Sequence, residues 1–147
     1  MNPVRLVVAA VEDSDHGEAA ARTAARYSHL LGAELHAVHV VDVPHAVYTL
    51  FDVVPLDWET LAEAQRRGVW TRIGAALDEL GVAAERIDLD GTAPEEIVRY
   101  AESVDADLIV IGTRRRGELR RLFLGSTGSR VIQLAGCDVL IAEPERA

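Results

Sequence analysis

A chain of 147 residues has room for one well-covered core, and two domains would be forced into it. Its 49% hydrophobic and 27% charged content is that of an ordinary folded domain, and no apolar run approaches the ~20 residues that cross a bilayer, which excludes a disordered or membrane-embedded chain. A formal charge of −9 argues against nucleic acid as a general partner, and a single cysteine, Cys137, excludes an internal disulfide or a cysteine-based zinc framework.

The first residues run directly into an apolar stretch, Val4 to Val11, with no leader-like segment before it, so a cytoplasmic location is expected. That stretch predicts a buried strand, stopped by Glu12, Asp13, Ser14 and Asp15, with Ser14 as a helix N-cap. Ala19, Ala20, Thr23, Ala24, Tyr27, Leu30 and Leu31 then recur at helical spacing up to Gly32, which is placed to end the helix. Ala33 to Val41 predicts a second strand, and a long connection holding Pro44 and Pro55 follows. Its apolar centre, 47–54, reads either as a lid or as a piece of core or subunit interface.

A helical pattern from Asp57 to Leu80 ends at Gly81, and Arg86 to Asp90 predicts a third strand. Thr92, Pro94 and Glu95 match a capping box opening a helix that runs to Ser103. Asp107 to Ile111 predicts a fourth strand, Ser126 to Ala135 a further helix and Asp138 to Ala142 a fifth strand, with a loose tail over 143–147. Nearly all-apolar strands separated by helices predict an α/β fold, a parallel sheet covered on both faces and wound by right-handed crossovers. Residues 1–147 read as a single domain.

In such a sheet ligands bind at the carboxyl ends of the strands, where the winding reverses. One loop there carries Glu12, Asp13, Ser14, Asp15 and His16; the other runs from Gly112 to Ser126. The second holds five of the fifteen arginines, Arg114, Arg115, Arg116, Arg120 and Arg121, and ends in a Gly-Ser helix start whose backbone N–H groups suit an anion. The arginines read either as a phosphate site or as a solvated basic turn, and Ser126 fits a plain helix N-cap equally well. Glu12, Asp13 and Asp15 suit Mg²⁺ or simply the dipole of the helix they open. His16, His36 and His39 have no spacing that makes a convergent site, and His36 and His39 should point to opposite faces of their strand. No nucleophile, base and acid set emerges and no Walker sequence is present, so binding is expected rather than turnover.

The segments Val8 to Ser14, Gly32 to Val41, Glu95 to Ala101 and Ala106 to Thr113, with the Gly125-Ser126 helix start and Cys137 to Ile141, together resemble the universal stress proteins over nearly the whole chain. The resemblance implies a Rossmann-like, open parallel sheet of five strands in the order 3-2-1-4-5, and a homodimer joined through the fifth strand. It implies a site for ATP, ADP or AMP, with or without Mg²⁺, formed by Ala10, Glu12, Val40, Gly112, Thr113, Arg114, Arg115, Gly117, Gly125, Ser126 and Thr127. Ala10 and Val40 would flank the base through backbone contacts. In the nucleotide-binding branch a glycine is followed by two residues, a second glycine, nine residues, then glycine and serine or threonine. Gly112, Gly125 and Ser126 fit, whereas Arg115 stands at the second glycine, with Gly117 two residues on. Arg115 could meet a phosphate with its guanidinium instead. Glu12 replaces the usual aspartate, and Gly128 stands where serine or threonine is common. The function implied is that of a nucleotide-binding stress-response regulator acting on an unknown protein partner; the alternative is an interaction protein of the same fold with an eroded site.

Overall fold

The computed structural model describes residues 1–41, 57–113 and 124–145. Five strands form one parallel sheet: β1 (Leu6–Ala10), β2 (Glu34–Val41), β3 (Glu85–Asp90), β4 (Leu108–Gly112) and β5 (Asp138–Ala142). Their order is β3-β2-β1-β4-β5. Central β1 is in register with β2 through Val7 and Leu35 and with β4 through Val7 and Leu108. The winding therefore reverses between β1 and β4, which are neighbours.

Among the described residues four helices cover the sheet: α1 (Asp15–Leu31), α2 (Trp58–Leu80), α3 (Ala93–Ser103) and α4 (Ser126–Leu134). One face packs Val7, Ala9, Leu35, Ala37 and Val110 against Ala20 and Ala24 of α1 and Val69, Ile73 and Leu77 of α2. The other packs Val8, Val38, Val40, Ile109 and Ile111 against Ile97, Val98 and Ala101 of α3 and Val131 of α4. Burying both faces is why β1, β2 and β4 read as nearly continuous apolar runs, whereas edge strand β3 alternates. Fully burying one such side chain stabilises the fold by about 1.5–3 kcal/mol.

Helix ends follow local chemistry. Ser14 Oγ accepts from the Gly17 N–H, and Gly32 and Gly81 sit at φ 65° and 66°, left-handed positions that stop α1 and α2. Three sequence expectations need correction. Leu30 and Leu31 are exposed, at 71% and 47%, because α1 meets the sheet through Gly17, Ala19, Ala20, Ala21, Ala24, Ala25 and Ser28; the small residues bring helix and sheet together and the terminal leucines lie past the contact. Thr92 is the N-cap of α3, but its side chain caps nothing, so the capping box is not formed. Ser126 is the first helical residue of α4, and Gly125 is its N-cap.

The two sheet edges differ. On β3, Arg86, Asp88 and Asp90 alternate with Ile87 and Leu89, which pack inward; Trp70 Nε1 donates to Asp88 at 3.0 Å and Arg66 to Asp90 at 3.1 Å. Such charges blunt an edge. On β5, Val139 and Ile141 pack on the α3 and α4 side and Leu140 on the other, and all three stay partly exposed. Cys137 packs beside them, and burial pushes its thiol up.

Candidate functional site

The carboxyl ends of β1, β2 and β4 and the start of α4 surround a cleft of about 500 Å³. Of the residues expected at a ligand, it is lined by Ala10, Glu12, Val40, Gly112, Gly125, Ser126 and Thr127. Thr113 lies elsewhere: it is fully buried and its N–H donates to the Ala142 carbonyl at 3.0 Å. Arg114, Arg115 and Gly117 lie outside the described residues, as do Arg116, Arg120, Arg121 and the apolar segment 47–54.

Two glycines let the elements around this cleft approach each other. A Cβ on Gly17 would fall within 3 Å of the backbone of Glu12, and one on Gly112 within 3 Å of the backbone of His16. The loop after β1, the first turn of α1 and the end of β4 are thus in direct backbone contact. Gly128 differs, since a Cβ there would meet Ile111 and Leu124 at 3.4 Å, close to ordinary contact.

The acids after β1 have partners already. Arg72 of α2 reaches Asp15 at 2.5 Å, Glu18 at 2.9 Å and Asp13 at 3.7 Å. Arg22 and Arg72 together hold the Glu18 carboxyl below its usual range. Among the described residues no cluster of three or more His, Cys, Asp and Glu side chains could hold a metal ion. Glu12 is in ion-pair contact with His16.

Helix α4 opens on the cleft differently from the others. α1 carries Asp15 and Glu18 in its first turn, α2 Glu59, and α3 Glu95 and Glu96, whereas α4 has no acid there and its N-cap, Gly125, has no side chain. Its first N–H groups and the positive end of its dipole are directed to whatever anion enters.

Sequence reasoning missed the convergence of His16 and His39 on the cleft, along with Gln65 of α2 and Ile97 of α3. His39 lies on the α2 side of β2, where its Nδ1 is 3.4 Å from Asp88; burial pushes the imidazole down while Asp88 pulls it up. His36 points the other way, to the Tyr100 hydroxyl at 2.8 Å, as expected for an odd separation on a strand. The signal for His39 was its place near the carboxyl end of β2; for Gln65 and Ile97 there was none.

The model of the family described as "Universal stress protein family" matches residues 3–143. The chain belongs to this family. A universal stress protein of Methanocaldococcus jannaschii is 33% identical over 147 residues, covering 97% of this chain and 84% of that one. A second, of Thermus aquaticus, is 34% identical over 139 residues, covering 93% and 97%. The solved structure of the universal stress protein from Archaeoglobus fulgidus in complex with dAMP superimposes with a TM-score of 0.67 at 26% identity, covering 97% of this chain and 99% of that one. The sheet order and helical layers of this universal stress protein are those the sequence resemblance implied. Among the described residues no helix is long and apolar enough to cross a membrane.

Proposed function

We propose that residues 1–147 act as a single universal stress protein domain that binds ATP or a related adenine nucleotide and regulates a protein partner as a homodimer, without efficient turnover. The observation that carries this reading is the cleft in which the Glu12 loop faces the open start of α4. Ala10 and Val40 flank the base, Glu12 receives the sugar, and the N–H groups of Gly125, Ser126 and Thr127 receive phosphate. The second-glycine residue Arg115, with Arg114 and Gly117, completes the phosphate end, and Thr113 supports it from behind. Mg²⁺ would arrive with the nucleotide, since Arg72 engages Asp13 and Asp15. The Archaeoglobus fulgidus protein in complex with dAMP supports an adenine nucleotide at this family's site. The apolar edge of β5 suits pairing with a second copy.

Thermal melting of nucleotide-stripped protein tests the reading. Millimolar ATP, ADP or AMP, with and without Mg²⁺, should raise the melting temperature by mass action, and Gly125→Asp should remove the rise. Gly125 sits at φ −61° and ψ 172°, which aspartate also adopts, and an aspartate N-cap suits a helix start. The substitution therefore spares the fold while placing a carboxylate where the phosphate would lie. No rise with any nucleotide would favour an interaction protein with an eroded site.

A further inference from the structure

We propose that His16 is a positioning residue for Glu12, and that the pair makes the cleft select nucleosides carrying an intact 2′,3′-diol; the inference rests on the nucleotide-binding reading above. The two side chains are four residues apart, with Glu12 just ahead of α1 and His16 in its first turn. Both backbones are pinned. The Glu12 carbonyl accepts from Ser14 N–H at 2.9 Å and packs on Gly17, while His16 packs on Gly112. The His16 Nε2 is buried with no hydrogen bond made, and Glu12 Oε1 is in ion-pair contact with it. A buried ring nitrogen requires a partner, and the Glu12 carboxylate is the group beside it.

That contact gives the glutamate a defined position. A free glutamate loses rotamer freedom when it takes up a ligand, and the imidazole removes much of that cost beforehand. With one oxygen steadied by His16, the carboxylate offers acceptor sites on both oxygens to the two hydroxyls of a ribose. A 2′-deoxy sugar fills one of these and leaves the other to water.

Most charged groups around the pair have partners of their own, and His39 lies within electrostatic reach of Glu12. Within the loop and α1, Asp13, Asp15 and Glu18 are held by Arg72 of α2. Arg66 of α2 is held by Asp90 of β3 and Glu59. From β2, His39 faces the cleft with Asp88 of β3 as its partner. From β4 and the start of α4 the lining groups are Ile111, Gly112 and the uncharged Gly125 to Gly128.

The test is calorimetric titration of the nucleotide-stripped full chain with ATP and 2′-deoxy-ATP. Wild type should prefer ATP by about tenfold, the worth of one hydrogen bond to a charged acceptor. His16→Ala, which keeps the Cβ packed on Gly112, should weaken ATP binding more than 2′-deoxy-ATP binding and so narrow the preference, because two hydroxyls of ATP and only one of 2′-deoxy-ATP use the positioned carboxylate. His16→Gln restores a donor four residues from Glu12 and should recover the preference. Melting temperatures of both variants show that they fold. Equal wild-type affinities for ATP and 2′-deoxy-ATP, or a preference that survives undiminished in His16→Ala, overturn this inference alone. Absence of binding to either nucleotide overturns the nucleotide-binding reading with it.

Discussion

Gly112 ends β4 directly against His16, so that a Cβ at Gly112 would come within 3 Å of the His16 backbone oxygen and within 3 Å of its Cβ. The glycine is therefore required by packing between β4 and α1, apart from any contact with a phosphate. Gly112→Ala must push α1 away from the sheet, an overpacking cost of about 1–3 kcal/mol. The melting temperature should fall by about 2–4 °C for each kcal/mol at this chain length, with no nucleotide present. Gly128→Ala, whose Cβ meets only ordinary contacts, should melt within about 2 °C of wild type, as expected for a substitution that creates no clash.

Asp107 ties the start of β4 to β1. Its carboxylate accepts from the N–H groups of Arg5 at 2.8 Å and Leu6 at 3.1 Å, and these two bonds hold its carboxyl below the usual range. A folded value below the unfolded one means that the stabilisation is present above the unfolded value near 3.8 and is lost as pH falls through the folded value. Asp107→Asn should therefore be less stable than wild type at pH 7, and the gap should close in acid. Denaturant midpoints at pH 7, 4 and about 2.5 check this; a gap that stays constant with pH would show that the charge is not what matters.

The sheet was legible because its strands are buried on both faces, so Val4 to Val11 and Asp107 to Ile111 carry an apolar signal no helix period disturbs. Gly32 and Gly81 marked helix ends because left-handed backbone leaves few alternatives to glycine. Leu30 and Leu31 misled, since helical spacing fixes which residues share a face but not how far along the helix the contact extends. The site was half legible. Glu12, Gly112, Gly125 and Ser126 follow from strand ends and helix starts, whereas the arrival of His16 and His39 at one cleft depends on strand order and on the phase of α1, neither of which short-range pattern contains. Gly112 could be spotted as a glycine, but its reason, the backbone of His16, is a contact 96 positions away in the chain.

Arg72 neutralises the acids beside the cleft, and its removal separates charge from fold. Arg72→Met keeps the length of the side chain but frees Asp13 and Asp15, while Glu18 retains Arg22 at 2.9 Å. These groups are partly exposed, so the loss of stability should be no more than about 1 kcal/mol and should shrink at high salt. The freed carboxylates make the cleft more negative. ATP affinity should fall severalfold at low salt, whereas adenosine, which carries no phosphate, should bind as before; parallel titrations of the two ligands distinguish the electrostatic effect from a distorted site.

The contrast between the sheet edges predicts where the second copy of the proposed homodimer attaches. β3 carries Arg86, Asp88 and Asp90, with Arg66 and Trp70 bonded to its carboxylates, so pairing there would strand charges between chains. β5 presents Val139, Leu140 and Ile141, all partly exposed, and among the described residues no strand neighbours its outer backbone edge. A lysine at Val139 would put a charge into the apolar contact of a symmetric β5 pair, and an isologous interface repeats each substitution on both sides. Val139→Lys should therefore shift the chain from dimer to monomer in sedimentation velocity at micromolar concentration, and Val139→Glu should do the same. Asp88→Lys on the opposite edge should leave the sedimentation coefficient unchanged. If the Asp88 variant dissociates the dimer and the Val139 variants do not, the interface lies at β3.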